Sequence, residues 1–140
     1  MDKNTKTAKN ILIKNGYTCV LYSDTEEFHS TLRGVKPLLD FLESGKDFSG
    51  FSAADKTVGA GAAHLYVLLG VKEVWANIIS DAGKKVLLEN NIMVFCETQV
   101  PYIINRKGDG MCPIETAVKD ITSSQKALEA IKQTLKTLSK

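Results

Sequence analysis

Apolar residues recur at helical spacing in some stretches and crowd into short β-rich runs in others, and this alternation predicts the elements of the chain. Ala8, Ile11, Leu12 and Asn15 fall at helical spacing within residues 4–15, and Gly16 follows as a C-cap. Tyr17–Tyr22 has the β-branched and aromatic content of a strand. The polar turn Ser23–Glu27 then leads into a second strand, Phe28–Thr31, which makes a hairpin. Pro37 suits the start of a helix over residues 36–44, where Leu38, Leu39, Phe41 and Leu42 form one apolar face that Gly45 terminates.

Strands and helices alternate after that point. Gly50–Ala54 reads as a strand, Thr57–Leu69 as a helix capped by Gly70, and Glu73–Ile79 as a strand. Asp81–Asn90 is a helix, and the unbroken apolar run Ile92–Cys96, without alternation, predicts burial on both faces and so a central or covered strand. A long polar loop, Gln99–Met111, leaves room for a short edge strand at Tyr102–Ile104. Two helices close the chain, Pro113–Ile121 and Ser124–Leu138. In the last of these, Leu128, Ile131, Leu135 and Leu138 make a narrow stripe for packing within the chain or, alternatively, on a second copy. The expected class is α/β, with three α-β-α layers, a largely parallel sheet after the hairpin, and a helical C-terminal extension within a single domain over residues 1–140.

Composition narrows the classes of function. With 140 residues, 44% hydrophobic and 24% charged, the chain can bury about 68–70% of its unfolded surface without staples. No apolar run approaches a membrane span and the N-terminus lacks a signal-peptide core, so a cytoplasmic location is expected. Cys19, Cys96 and Cys112 form no Cys-x-x-Cys pair, which argues for reduced thiols and against a zinc ribbon. Residues 1–16 and 126–140 each carry +3 and the middle −4, for a net +2. No dense basic stripe with interleaved aromatics is present, so nucleic acid is not an expected partner.

Candidate chemistry lies at three expected helix starts: Gly34-Val-Lys36-Pro37, Asp55-Lys56-Thr-Val-Gly59 and Cys112-Pro113-Ile-Glu115. Helix N-termini expose unpaired N–H donors, and three that converge make a pocket for a phosphate or carboxylate. Arg33, Lys36, Lys56 and Arg106, with Asn105 beside the last, would add cations to that pocket; as idle loop charges they would only be solvated. Asp55 is either an orienting or basic carboxylate or simply an N-cap, and the small run Gly59–Ala63 permits close approach in both cases. Cys112 is a candidate nucleophile or redox sensor, while Pro113 and Glu115 also read as a capping box with cysteine in the serine position. Neither His29 nor His64 is placed by sequence to activate that thiol. No Walker or dinucleotide fingerprint occurs, and no cofactor is expected.

The element order resembles the cytidine deaminase-like fold. The stretches Arg33-Gly34-Val-Lys36-Pro37, Ala54-Asp55-Lys56-Thr-Val-Gly59 and Val100-Pro-Tyr-Ile-Ile-Asn105-Arg106, followed by Cys112-Pro113-Ile-Glu115, resemble those of a small uncharacterised prokaryotic family in that superfamily. The resemblance implies a mixed sheet and a pocket location, and it brings no activity. A zinc deaminase needs His-x-Glu or Cys-x-Glu at one helix start and Pro-Cys-x-x-Cys at the next. This chain has neither, so no metal site and no hydrolytic deamination are expected.

The leading expectation is a zinc-free binder of a nucleotide-like or phosphorylated small molecule, with any reaction left open. Its ligand-binding candidates are Arg33, Gly34, Lys36, Lys56, Gly59, Asn105, Arg106 and Glu115, and its catalytic candidates are Asp55 and Cys112. The alternatives are an interaction module that dimerises through its terminal helices around a vestigial pocket, and a thiol sensor at Cys112.

Overall fold

The computed structural model describes residues 1–139. A five-stranded sheet in the order β2-β1-β3-β4-β5 forms the middle layer. Its strands are β1 (Cys19–Tyr22), β2 (Glu27–Ser30), β3 (Ser52–Val58), β4 (Glu73–Ser80) and β5 (Met93–Val100). β1 runs antiparallel to both neighbours, whereas β3, β4 and β5 are parallel. The helices are α1 (Lys3–Asn15), α2 (Lys36–Glu43), α3 (Ala60–Leu69), α4 (Asp81–Glu89), α5 (Pro113–Ala117) and α6 (Ser124–Leu138).

The period-2 alternation of the strands sorts side chains into two cores. Val20, Ala54 and Trp75 point to one face, where only α1 covers them with Ala8 and Leu12. Their neighbours Cys19, Leu21, Ala53, Val74 and Ala76 point to the other face, beneath α2 to α6. Three of the six described helices take their N-caps from local side chains. Asp2 accepts from Asn4 N at 2.8 Å to start α1, Ser80 from Gly83 N at 3.0 Å to start α4, and Ser123 from Lys126 N at 3.3 Å to start α6. Phe28, Phe41, Phe48 and Phe51 pack largely edge to face around the hairpin side of the larger core, with Phe48 nearest neighbours at 5.2–5.4 Å. α6 lies on α3 and α5 with Ile131 buried and Leu128 and Leu135 half-buried, so most of its stripe is used within the chain, although Leu138 is exposed. Among the described residues no helix is long and apolar enough to cross a membrane.

Four expectations need correction. Asp55–Val58 continues β3 rather than opening a helix, because Thr57 and Val58 pair with Ile78 and Ile79 of β4; α3 begins only after Gly59. β5 is an edge strand and not a central one, although it is covered on both faces, Val94 and Cys96 reaching the larger core and Phe95 the smaller, while Met93 is 56% exposed. The loop after β5 holds no strand at Tyr102–Ile104, only an isolated bridge from Ile104 to Met111, and α5 stops at Ala117 ahead of Asp120, whose φ of 67° breaks the helix.

Candidate functional site

A cavity of about 420 Å³ opens where the C-terminal half of β3, the segment before α2, the start of α3, and the 101–112 loop with α5 meet. The sheet's carboxyl ends supply such crevices in α/β folds, since each strand there hands over to a helix and leaves backbone and loops free. Of the residues singled out from the sequence, Arg33, Gly34, Asp55, Lys56, Gly59, Arg106, Cys112 and Glu115 all line this one space. Lys36 and Asn105 do not. Lys36 Nζ lies 2.5 Å from Asp40 Oδ1 on the exposed face of α2, an i,i+4 pair that turns the ammonium away. Asn105 is consumed by its own turn: its amide donates to Asp109 Oδ1 at 2.8 Å, and its carbonyl accepts from Asp109 N at 3.2 Å.

Asp55 sits on the floor. Its partner across β1 is Cys19, and the two side chains point into the larger core beneath α3. Tyr66 Oη donates to Asp55 Oδ2 at 2.5 Å, and Thr57 N donates to Oδ1 at 3.0 Å. Cys19 Sγ lies 3.3 Å from the same Tyr66 hydroxyl. Burial raises the Asp55 carboxyl to about 7, against the lowering effect of the Tyr66 hydroxyl and the Thr57 and Lys56 amides. Burial likewise pushes the Cys19 thiol and the Tyr66 phenol well up, helped by the neighbouring carboxyl. The cluster therefore links three buried groups through Tyr66 Oη, with burial bringing the carboxyl's titration to about 7.

Glu115 forms the opposite wall, and its bonds correct the capping-box expectation. Its Oε2 accepts from Ala60 N at 2.6 Å and its Oε1 from Ile103 N at 3.1 Å, so the carboxylate caps α3, 55 residues away, rather than its own short helix. The positive end of α3 is thus already matched by an internal anion. Two glycines make this approach feasible: a Cβ on Gly59 would collide with Glu115 Oε2, and one on Gly61 with Ile114 Cγ2. Cys112 is half-buried on the cavity wall, and its amide donates to Ile103 O at 2.7 Å.

What sets the cations at the mouth apart is their gathering around one space, since most basic residues among those described stand outside ion pairs. Among the described residues the ion pairs involve His29, Lys36, Lys46 and Lys72, and none involves Arg33, Lys56 or Arg106. The histidines stay away from Cys112. His64 donates from Nε2 to Ile121 O at 3.1 Å and accepts at Nδ1 from Ser124 Oγ at 2.9 Å, tying α3 to α6; burial lowers its basicity. His29 stacks on Tyr17 at 4.0 Å on the outer hairpin. Thr18, Val35, Thr57, Ile103 and Ile114 complete the walls without any local sign in the sequence. Tyr66 did leave one: a tyrosine inside a largely apolar helix needs a partner for its hydroxyl.

A crystal structure of a DUF1893 family protein, TM1506 from Thermotoga maritima, at 2.70 Å resolution is similar to this chain with a TM-score of 0.84 at 24% identity. The alignment covers 98% of this chain and 92% of that one, which establishes a shared fold. No curated protein matches the chain. The family model for TM1506, a domain of unknown function (DUF1893), matches residues 7–135, and the chain belongs to that family.

Proposed function

We propose that the chain is a zinc-free binding protein whose cavity takes an anionic small molecule, nucleotide-like or otherwise phosphorylated. The observation that carries this reading is the set of three cations, Arg33, Lys56 and Arg106, which line one space and find no ion-pair partner among the described residues. A protein that only needed charge for solubility would gain nothing from gathering them around a cavity. Because Glu115 already occupies the start of α3, the anion would be held by side chains and not by helix N–H groups. The walls contributed by Val35, Ala62, Ile103 and Ile114 favour a ligand with an uncharged body attached to its anionic group.

The cytidine deaminase-like relationship belongs to the same proposal. It is supported by the element order and by a mixed sheet in which β1 alone runs against the other four strands. In that reading one domain spans the chain, and the positions of zinc ligands and catalytic glutamate carry Gly34-Val-Lys36-Pro37 and Asp55-Lys56-Thr-Val instead. Asp55, protonated at the acid side of neutrality, would exchange hydrogen bonds with a ligand hydroxyl or N–H, and Cys112 would be the nearby nucleophile should a transfer follow.

Thermal-shift measurements across nucleoside phosphates and sugar phosphates test the binding claim. At least one compound should raise the melting temperature of wild type, by linkage worth about 2.7 kcal/mol at a hundredfold excess over Kd. Lys56→Ala should lose that shift and Lys36→Ala should keep it. No stabilising compound, or an undiminished shift in Lys56→Ala, overturns the reading.

A further inference from the structure

The two edges of the sheet are unlike. β2 closes one side with four residues that include Glu27 and His29, whereas β5 closes the other with eight, Met93–Val100, and nothing among the described residues pairs with its outer side. Soluble chains guard such edges with brevity, lysine, proline or a bulge. β5 has none of these. Its one charge is Glu97, and its register against β4 keeps a constant offset from Glu73↔Met93 to Ser80↔Val100. Both apolar cores also run out at this strand, with Val94 and Cys96 half-buried on one face and Phe95 on the other.

We propose that β5 pairs antiparallel with β5 of a second copy about a two-fold axis at Cys96, joining two five-stranded sheets into one. A two-fold axis normal to the sheet sets residues of like parity opposite each other, so that each face continues into the same face of the partner. Such an axis must pass at a residue. Placed at Phe95, it pairs only residues 93–97 of the strand; placed at Glu97, it sets two carboxylates directly opposite, which is repulsive. Placed at Cys96, it pairs residues 93–99: Met93 with Gln99, Val94 with Thr98, Phe95 with Glu97, and Cys96 with itself. Strand length and the single charge together favour the register centred on Cys96. The strip of Trp75, Phe95 and Met93 on the α1 face would continue across the seam, as would Val94 and Cys96 on the α4 face.

Directly opposed Cα atoms in an antiparallel pair lie about 4.5–5.5 Å apart, inside the span a disulfide bridges, which is about 4.4–6.8 Å. The test combines sedimentation equilibrium of the full chain with thiol coupling in a Cys112→Ser background, where Cys96 is the one cysteine not fully buried. Diamide takes up the two thiol hydrogens as the disulfide forms. The expected result is a dimer that diamide converts to a covalent pair, abolished by Cys96→Ser. Thr98→Lys, a charge added to the free edge, should weaken the dimer at least tenfold while its melting stays cooperative. A chain that remains monomeric at high concentration overturns the proposal. So does a dimer that Leu135→Asp dissociates and Thr98→Lys leaves intact, because association would then run through α6. Should Thr98→Lys fail to fold, absence of a Cys96-linked dimer in the Cys112→Ser chain is itself decisive against it.

Discussion

The floor and the roof of the cavity are held by opposite means. On the floor, Cys19, Asp55 and Tyr66 come from two adjacent strands and the helix above them, and all three are buried in the larger core. Close packing of the core fixes that geometry before any polar group contributes. The roof, which is the wall formed by the 101–112 loop and α5, hangs from irregular backbone. The Glu115 carboxylate, bonded to Ala60 N and Ile103 N, ties it to the start of α3 beside the packing of Ile114 and Val118. The lesson is that a buried acid can have two functions in one site. Asp55 is a guest of the core whose charge is suppressed, whereas Glu115 remains the partner of a helix end and organises what lies above it.

The strongest way to sharpen this contrast is through pH. The folded chain holds the Asp55 proton up to about 7, while the unfolded chain releases it near the ordinary value of 3.8. Between those values the native state binds more protons, so this group makes stability fall as pH rises, by on the order of 4 kcal/mol across the window. Asp55→Asn keeps the shape and removes the titration. Urea denaturation from pH 4.5 to 7.5 should show a gap in favour of the variant that widens with pH; parallel curves for the two proteins would show the carboxyl to be no more than a packed polar group.

Breaking the roof comes next. Glu115→Ala strands two buried donors and leaves space beside Gly59, so a loss of about 3 kcal/mol is expected in the same denaturation experiment. Hydrogen exchange should accelerate at Ile103 and through the 101–112 loop before it does so in β3. If exchange rises equally in both, the roof and floor are one cooperative unit. The smallest effect belongs to Tyr66→Phe, which removes one hydroxyl and costs about 1 kcal/mol. Its value lies in direction. Without that donor to the charged form, the Asp55 titration should move to higher pH, and an unchanged midpoint would mean the 2.5 Å contact does not bind the proton balance of the floor.

Local chemistry made much of the scaffold readable. Ser123 ahead of an amphipathic run marks α6, Gly16 ends α1, and the polar turn from Ser23 marks the hairpin, because caps and turns act over a few residues. Asp55 misled for the same reason. An acidic residue after small ones looks like an N-cap, and only the pairing of β3 with β4 reveals that the strand continues to Val58. β5 misled because an apolar run states that a strand is buried somewhere without stating its place in the sheet order. Within the site, the sequence drew attention to residues near 34, 55 and 112, but not to the bond from Glu115 to Ala60 or from Tyr66 to Asp55. Such ties depend on how helices stack, and no local spacing encodes them.

On the far side of the sheet, α1 stands alone, moored at its start by Asp2 N to Glu73 Oε1 at 2.7 Å and by the Lys72–Asp2 pair at 3.2 Å. It shields Trp75, the chain's one tryptophan, whose ring Lys9 Nζ overlies at 5.0 Å. Indole emission therefore reports departure of the first helix and is indifferent to the ligand cavity on the opposite layer. A red shift that precedes loss of far-ultraviolet ellipticity would reveal the N-terminal segment detaching as an autonomous unit, observable without any attached label.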